Sequence, residues 1–161
     1  MPRDWESEIA KLLTKLSQTQ DELLSLLAEK RDLLSDSDVD ALAQMQPREE
    51  ALQQQLQSCH DRRNQLLAAA ADEGLPCDSV RSLASALPKP SRDQIQRDVG
   101  EASNRGRLLQ HHGLTNWVLA QRTLLHLSQM LEIIATGGRP KPTYSKGESA
   151  PTTGSLVDRA A

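Results

Sequence analysis

Apolar residues recur along the first part of the chain at Ile9, Leu12, Leu16, Leu23, Leu26 and Leu33, in steps of three, four and seven, and Leu13, Leu27 and Leu34 widen the stripe. Such spacing lines one side of a helix, so an amphipathic helix is predicted over about residues 4–35. Thr19 and Lys30 interrupt this seam, and polar interruptions can fix the register of packed helices at some expense in stability. Ser35-Asp36-Ser37-Asp38 ends the pattern, and Ser37 with Asp40 three residues later makes a capping arrangement for a second helix. The seam of that helix reads Leu42, Met45, Glu49, Leu52, Leu56, Cys59, Arg63, Leu66 and Ala70. So short a connection predicts an antiparallel hairpin. Pro47 removes one backbone donor and clashes with the carbonyl four residues back, which predicts a kink or a local break near 43–47.

Gly74-Leu75-Pro76 ends the second helix in the glycine-then-proline order found past a helix C-terminus. A short helix is expected from Asp78 to about Ala86, closed by Pro88-Lys89-Pro90. Ser91, with Gln94 in the capping-box position, then opens a long helix whose apolar face runs Ile95, Val99, Ala102, Leu109, Trp117, Leu124, Leu127, Leu131 and Ile134. Gly100, Gly106 and Gly113 lie within it. Gly113 marks a bend, or the small residues admit a neighbouring helix; the pattern leaves both open. At about 1.5 Å per residue this helix is roughly 65 to 70 Å long, against about 50 Å for each of the first two. Its end, from Leu124 to Ile134, is apolar on more than one face. Either the first helix or a second copy of the chain buries it, or it is a groove for another protein's helix.

The organisation that follows is a helical bundle domain over 1–136 and a flexible tail over 137–161, where Gly137-Gly138, Pro140, Pro142, Gly147, Pro151 and Gly154 fall among Ser, Thr, Lys and Glu. Composition agrees. The only aromatics are Trp5, Trp117 and Tyr144, with no phenylalanine, and sheets draw on aromatic and β-branched residues that are scarce here. The fold expected is all-α: an elongated antiparallel helical bundle or coiled coil of three long helices plus a short one, ending in the tail.

Charge and chemistry narrow the function classes. A net charge of -3, with no dense Lys/Arg stripe, argues against nucleic acid. No apolar run reaches bilayer-spanning length, the start is acidic rather than signal-like, and two cysteines at ordinary spacing suit a reducing compartment. A cytoplasmic protein is expected. Cys59 falls on the second helix's seam as a small core residue, and His111-His112 diverge by about 100 degrees on a helix, too far apart to share a metal. No catalytic, cofactor-binding or metal-binding constellation is visible, so no enzyme is expected. Glu49 and Arg63, charges at seam positions, are expected to reach a polar edge or to pair across the bundle. Two features invite a partner: the apolar end of the long helix, and a tail carrying Tyr144 and the terminal Leu156-Val157.

The order of two long helices, a Gly-Pro break, a long third helix and a Gly-rich tail resembles the FlgN family. Arg63-x-x-Leu66-Leu67 leading to Gly74 is similar to that family's second-helix ending, Asn104-Arg105-Gly106-Arg107-Leu108-Leu109 to its Asn-Arg-rich stretch, and Thr143-Tyr144 with Gly147 to its tail motif. The resemblance implies a cytoplasmic flagellar type III export chaperone for the hook-filament junction proteins FlgK and FlgL, which it delivers to the export apparatus without a cofactor. It makes Tyr144 the candidate for docking to the export gate and Leu156 and Val157 candidate substrate contacts. Leu131 and Ile134 are added from the apolar helix end. The competing expectation is a structural coiled-coil or adaptor protein that self-associates through the same seams.

Overall fold

Asp4 begins the first helix, its carboxylate accepting from the Ser7 N–H at 3.1 Å, one of the otherwise orphaned donors of a helix start. In the computed structural model, which describes residues 3–137, the elements are α1 (Trp5–Asp36), α2 (Val39–Asp72), α3 (Val80–Ala84) and α4 (Lys89–Thr136). There is no strand among the described residues, and the all-α expectation holds. The chain divides into two units, residues 1–124 and 125–161; the packing below belongs to the first.

The two helices of the hairpin are joined by Ser37 and Asp38 alone. Ser37 takes the left-handed conformation at φ 56, and its N–H and that of Asp38 return to the carbonyls of Leu34 and Leu33, closing α1 as a Schellman turn. Asp38, not Ser37, caps α2: its carboxylate accepts from the Ala41 N–H at 3.0 Å. The cap expected at Ser37 is therefore one residue early, because the turn consumes that residue in a left-handed position where it cannot also cap. Left-handed φ is strained for serine and free for glycine. Ser37→Gly is expected to stabilise the chain by about 1 kcal/mol, seen as a higher urea midpoint; a lower midpoint would mean that the turn is not built this way.

α2 continues through Pro47 without a break. Both Pro47 and Ala43, whose carbonyl loses its donor, are exposed, so water satisfies that carbonyl and no break is needed. At its other end Gly74, at φ +71, completes a second Schellman turn: the Gly74 N–H bonds to Ala71 O and the Leu75 N–H to Ala70 O. Ser79 and Ser82 then form a reciprocal capping box that starts α3. The long helix starts at Lys89, two residues before the expected cap at Ser91, and the Arg92 N–H bonds to Pro88 O. Pro90 sits in its first turn, where a missing N–H has no bond to lose.

α1 and α2 run antiparallel. Trp5 Nε1 donates to Glu73 at 3.0 Å, Lys15 to Gln55 at 3.2 Å, Arg62 pairs with Glu8, and Lys30 with Glu49 at 2.6 Å. The last pair joins two of the three seam charges that interrupt the apolar pattern; the third, Arg63, is exposed. Two buried clusters fill the hairpin. One gathers Ile9, Leu12, Cys59, Leu66, Leu83 of α3 and Ile95 of α4; the other is Leu23, Leu26, Met45 and Leu52. Between them Thr19 and Gln20 are buried. Thr19 Oγ1 donates to its own helix at Lys15 O, 2.9 Å, and Gln20 Nε2 to Ala102 O of α4, 3.0 Å.

α4 passes through Gly100, Gly106 and Gly113 as helix. A methyl group at Gly100 or Gly113 would meet nothing within 4 Å, and at Gly106 only Gln20 Nε2 at 3.9 Å. No close approach requires these glycines.

Candidate functional site

A helix repeats its orientation nearly every seven residues, so the residues of α4 that face the bundle are found by stepping from Ile95. They are Ile95, Ala102, Leu109, Asn116 and Thr123. The first three are apolar and buried or half-buried, and the last two are polar. Asn116 is only 5% exposed; its Nδ2 donates to Leu27 O of α1 at 2.8 Å. Thr123 Oγ1 lies 3.2 Å from Leu34 O and 3.0 Å from Leu119 O of its own helix. With Gln20 and Ala102, these contacts advance together along both helices, so α4 runs parallel to α1. Arg105 adds an ion pair to Asp21 at 2.9 Å.

Leu119 is half-buried beside them, but most of the large apolar residues of this stretch lie elsewhere. Leu114, Trp117, Val118 and Leu124 are exposed, Trp117 by 60%. At about 100 degrees per residue, Leu114, Trp117 and Val118 share a face that points away from Asn116 and Thr123. Placing Trp117 and Leu124 on the bundle face, as their apolarity suggests, is therefore wrong by one residue: their neighbours Asn116 and Thr123 hold those positions. The signal available in the sequence was the unbroken seven-residue count from Ile95, which outranks side-chain type.

In the second unit, the described part of α4 carries Leu125, Met130, Leu131, Ile133 and Ile134, all exposed, Leu131 by 67% and Ile134 by 73%. From Leu125 to Gly137 the charged residue is Glu132, with His126 the other titratable group. Leu131 and Ile134, expected as partner contacts, thus lie open on the surface of the chain, with Ile133 and Leu125 around them. The apolar residues here fall on more than one face of the helix, while Ser128, Gln129, Glu132 and Thr136 share the remaining side. Tyr144, Leu156 and Val157 lie outside the described residues.

The arrangement offers exposed apolar side chains. Among the described residues no three His, Cys, Asp or Glu side chains converge as metal ligands would. His111 and His112 meet edge to face with centroids 5.9 Å apart, Cys59 is buried and Cys77 half-buried, both as free thiols. Among the described residues no helix is long and apolar enough to cross a membrane. Among known proteins, no curated protein and no solved structure matches the chain. A family model described as FlgN protein matches residues 1–152.

Proposed function

Because this chain belongs to the FlgN family of flagellar export chaperones, we propose that its cargo are the hook-filament junction proteins FlgK and FlgL, bound in the cytoplasm and handed to the flagellar type III export apparatus. The observation that carries this reading is the exposed apolar end of α4 around Leu131 and Ile134. An amphipathic helix at the terminus of a cargo protein aggregates if left bare, and laying its apolar stripe against these side chains removes both surfaces from water. Release has to follow. Leu156 and Val157 are the further residues proposed to touch the cargo, and fixing side chains on association carries an entropic penalty that offsets part of the binding energy and keeps the complex reversible. Tyr144 is the residue proposed to dock on the export gate. The chemistry is binding alone, with no turnover, nucleotide or metal.

The test is a titration of FlgK and FlgL C-terminal segments into the full chain. Burying a Leu or Ile side chain is worth about 1.5–3 kcal/mol, so Leu131→Ser/Ile134→Ser is expected to weaken cargo binding by about a hundredfold or more. Both side chains are exposed, so the urea midpoint should hold. Unaltered cargo affinity in that variant would remove the apolar helix end from the mechanism. Tyr144→Ala should lower binding to the export apparatus while sparing cargo; equal loss of both would end its separate role.

A further inference from the structure

Within the first unit, the four helices leave a second apolar surface that the cargo reading does not use. It is a groove of about 900 Å³. Leu16 of α1, Leu56 of α2 and Val99 and Leu109 of α4 contribute half-buried side chains to its lining. From Val99 to Leu109 the α4 wall is roughly 15 Å long, close to three helical turns. Three arginines also line it, one from each of α2, α3 and α4: Arg63, Arg81 and Arg107. All three are exposed. Elsewhere among the described residues several surface cations are paired, Lys30, Arg48, Arg62 and Arg105 among them. These three have no carboxylate within ion-pair distance among the described residues, and the lining contains no Asp or Glu. In a chain of net charge -3, a groove edged by three cations and no anion is a local reversal of sign.

The geometry points to this groove as a docking site for an amphipathic helix with acidic edges, on a protein partner, separate from the cargo surface at the end of α4. The argument for the occupant is complementarity of shape and charge together. Helical walls offer no strand edge on which an extended peptide could add. Side chains at i, i+3, i+4 and i+7 of an incoming helix fill an apolar trough of about three turns, and Asp or Glu beside that stripe meet Arg63, Arg81 and Arg107. The guanidinium fork takes carboxylates two oxygens at a time. The same charges repel a basic helix, so the site discriminates as well as attracts.

The probe is a synthetic 18-residue helical peptide with leucine on one stripe and glutamate along both edges, compared with the same peptide carrying lysine for every glutamate. Each is titrated into the full chain by calorimetry. The glutamate peptide is expected to bind about tenfold tighter or better, the sum expected of three rim ion pairs of ordinary strength, with affinity falling as salt rises. Arg63→Glu/Arg81→Glu/Arg107→Glu should abolish that preference, and the milder Arg63→Gln/Arg107→Gln should reduce it in the same direction if the reversed charges disturb folding. Leu131→Ser/Ile134→Ser should leave it intact, which keeps this site's failure distinct from failure of the cargo reading. No binding, equal binding of the two peptides, or a preference that survives the arginine variants overturns the proposal. So does an unliganded dimer that the arginine variants dissociate, since the occupant would then be a second copy of this chain.

Discussion

Leu26→Ala is expected to lower the unfolding free energy by about 2–5 kcal/mol, a large share of the ~5–15 kcal/mol that holds an ordinary domain together. Leu26 is fully buried in the cluster it forms with Leu23, Met45 and Leu52. Truncation removes the transfer energy of the lost carbons and leaves a void that two helices pinned by their turn cannot collapse to fill. The upper part of that range is favoured because the cluster has few members, so no large interior shares the adjustment. Leu131→Ala supplies the control. It is the same chemical change on a side chain 67% exposed, and should move stability by no more than about 0.5 kcal/mol. Urea denaturation of both variants, with unchanged slopes, tests the contrast; equal effects would mean that α1 and α2 do not pack as described.

The second large effect concerns the charges inside the hairpin. Lys30 Nζ reaches both Glu49 oxygens, at 2.9 and 2.6 Å, with the two side chains 29% and 20% exposed. Removing one partner strands the other in a half-dry seam. Lys30→Met is therefore expected to cost about 1–3 kcal/mol, between the values for exposed and buried pairs. Replacing both by leucine should restore most of that loss, because neither desolvated charge remains. What the double variant forfeits is register: an uninterrupted leucine seam accepts a partner shifted by a turn, or a second hairpin, more readily than a seam with one matched charge pair. Sedimentation and urea melts of the single and double variants check this. If the double variant is as unstable as Lys30→Met, the penalty does not come from an unpaired charge.

The hairpin was legible because its apolar residues keep heptad spacing through both helices, and two of the three charges that break the rule, Lys30 and Glu49, break it opposite each other. Local chemistry also marked the ends at Gly74 and Pro76. The caps were harder. Ser37 and Asp38 are both good capping residues, and the choice between them depends on a left-handed turn that only the packed hairpin imposes. Pro47 and Pro90 looked like interruptions, yet one faces solvent and the other stands in a first turn. The second half of α4 misled for a different reason. There two of the residues facing the bundle, Asn116 and Thr123, are polar, while Leu114, Trp117, Val118 and Leu124 are exposed, so a rule that assigns the largest apolar residues to the interior follows the wrong stripe. Leu131 and Ile134 were recognisable as a candidate surface because the apolar residues there spread over more than one face of the helix, where one stripe would have sufficed for a core. The groove edged by Arg63, Arg81 and Arg107 could not be seen in advance, since it brings together four helices at positions far apart along the chain.

Besides the Arg105–Asp21 ion pair, three hydrogen bonds tie α4 to α1, and all three end on main-chain oxygens: Ala102 accepts from Gln20, Leu27 from Asn116 and Leu34 from Thr123. Every amino acid carries that oxygen. Drift at positions 27, 34 or 102 therefore leaves each acceptor in place, and these three bonds depend on the identity of their donors alone. Each such bond contributes only about 1 kcal/mol, so among the long helices α4 is the one whose amides should exchange with deuterium soonest along this seam, while those of α1 and α2 wait for the whole hairpin to open.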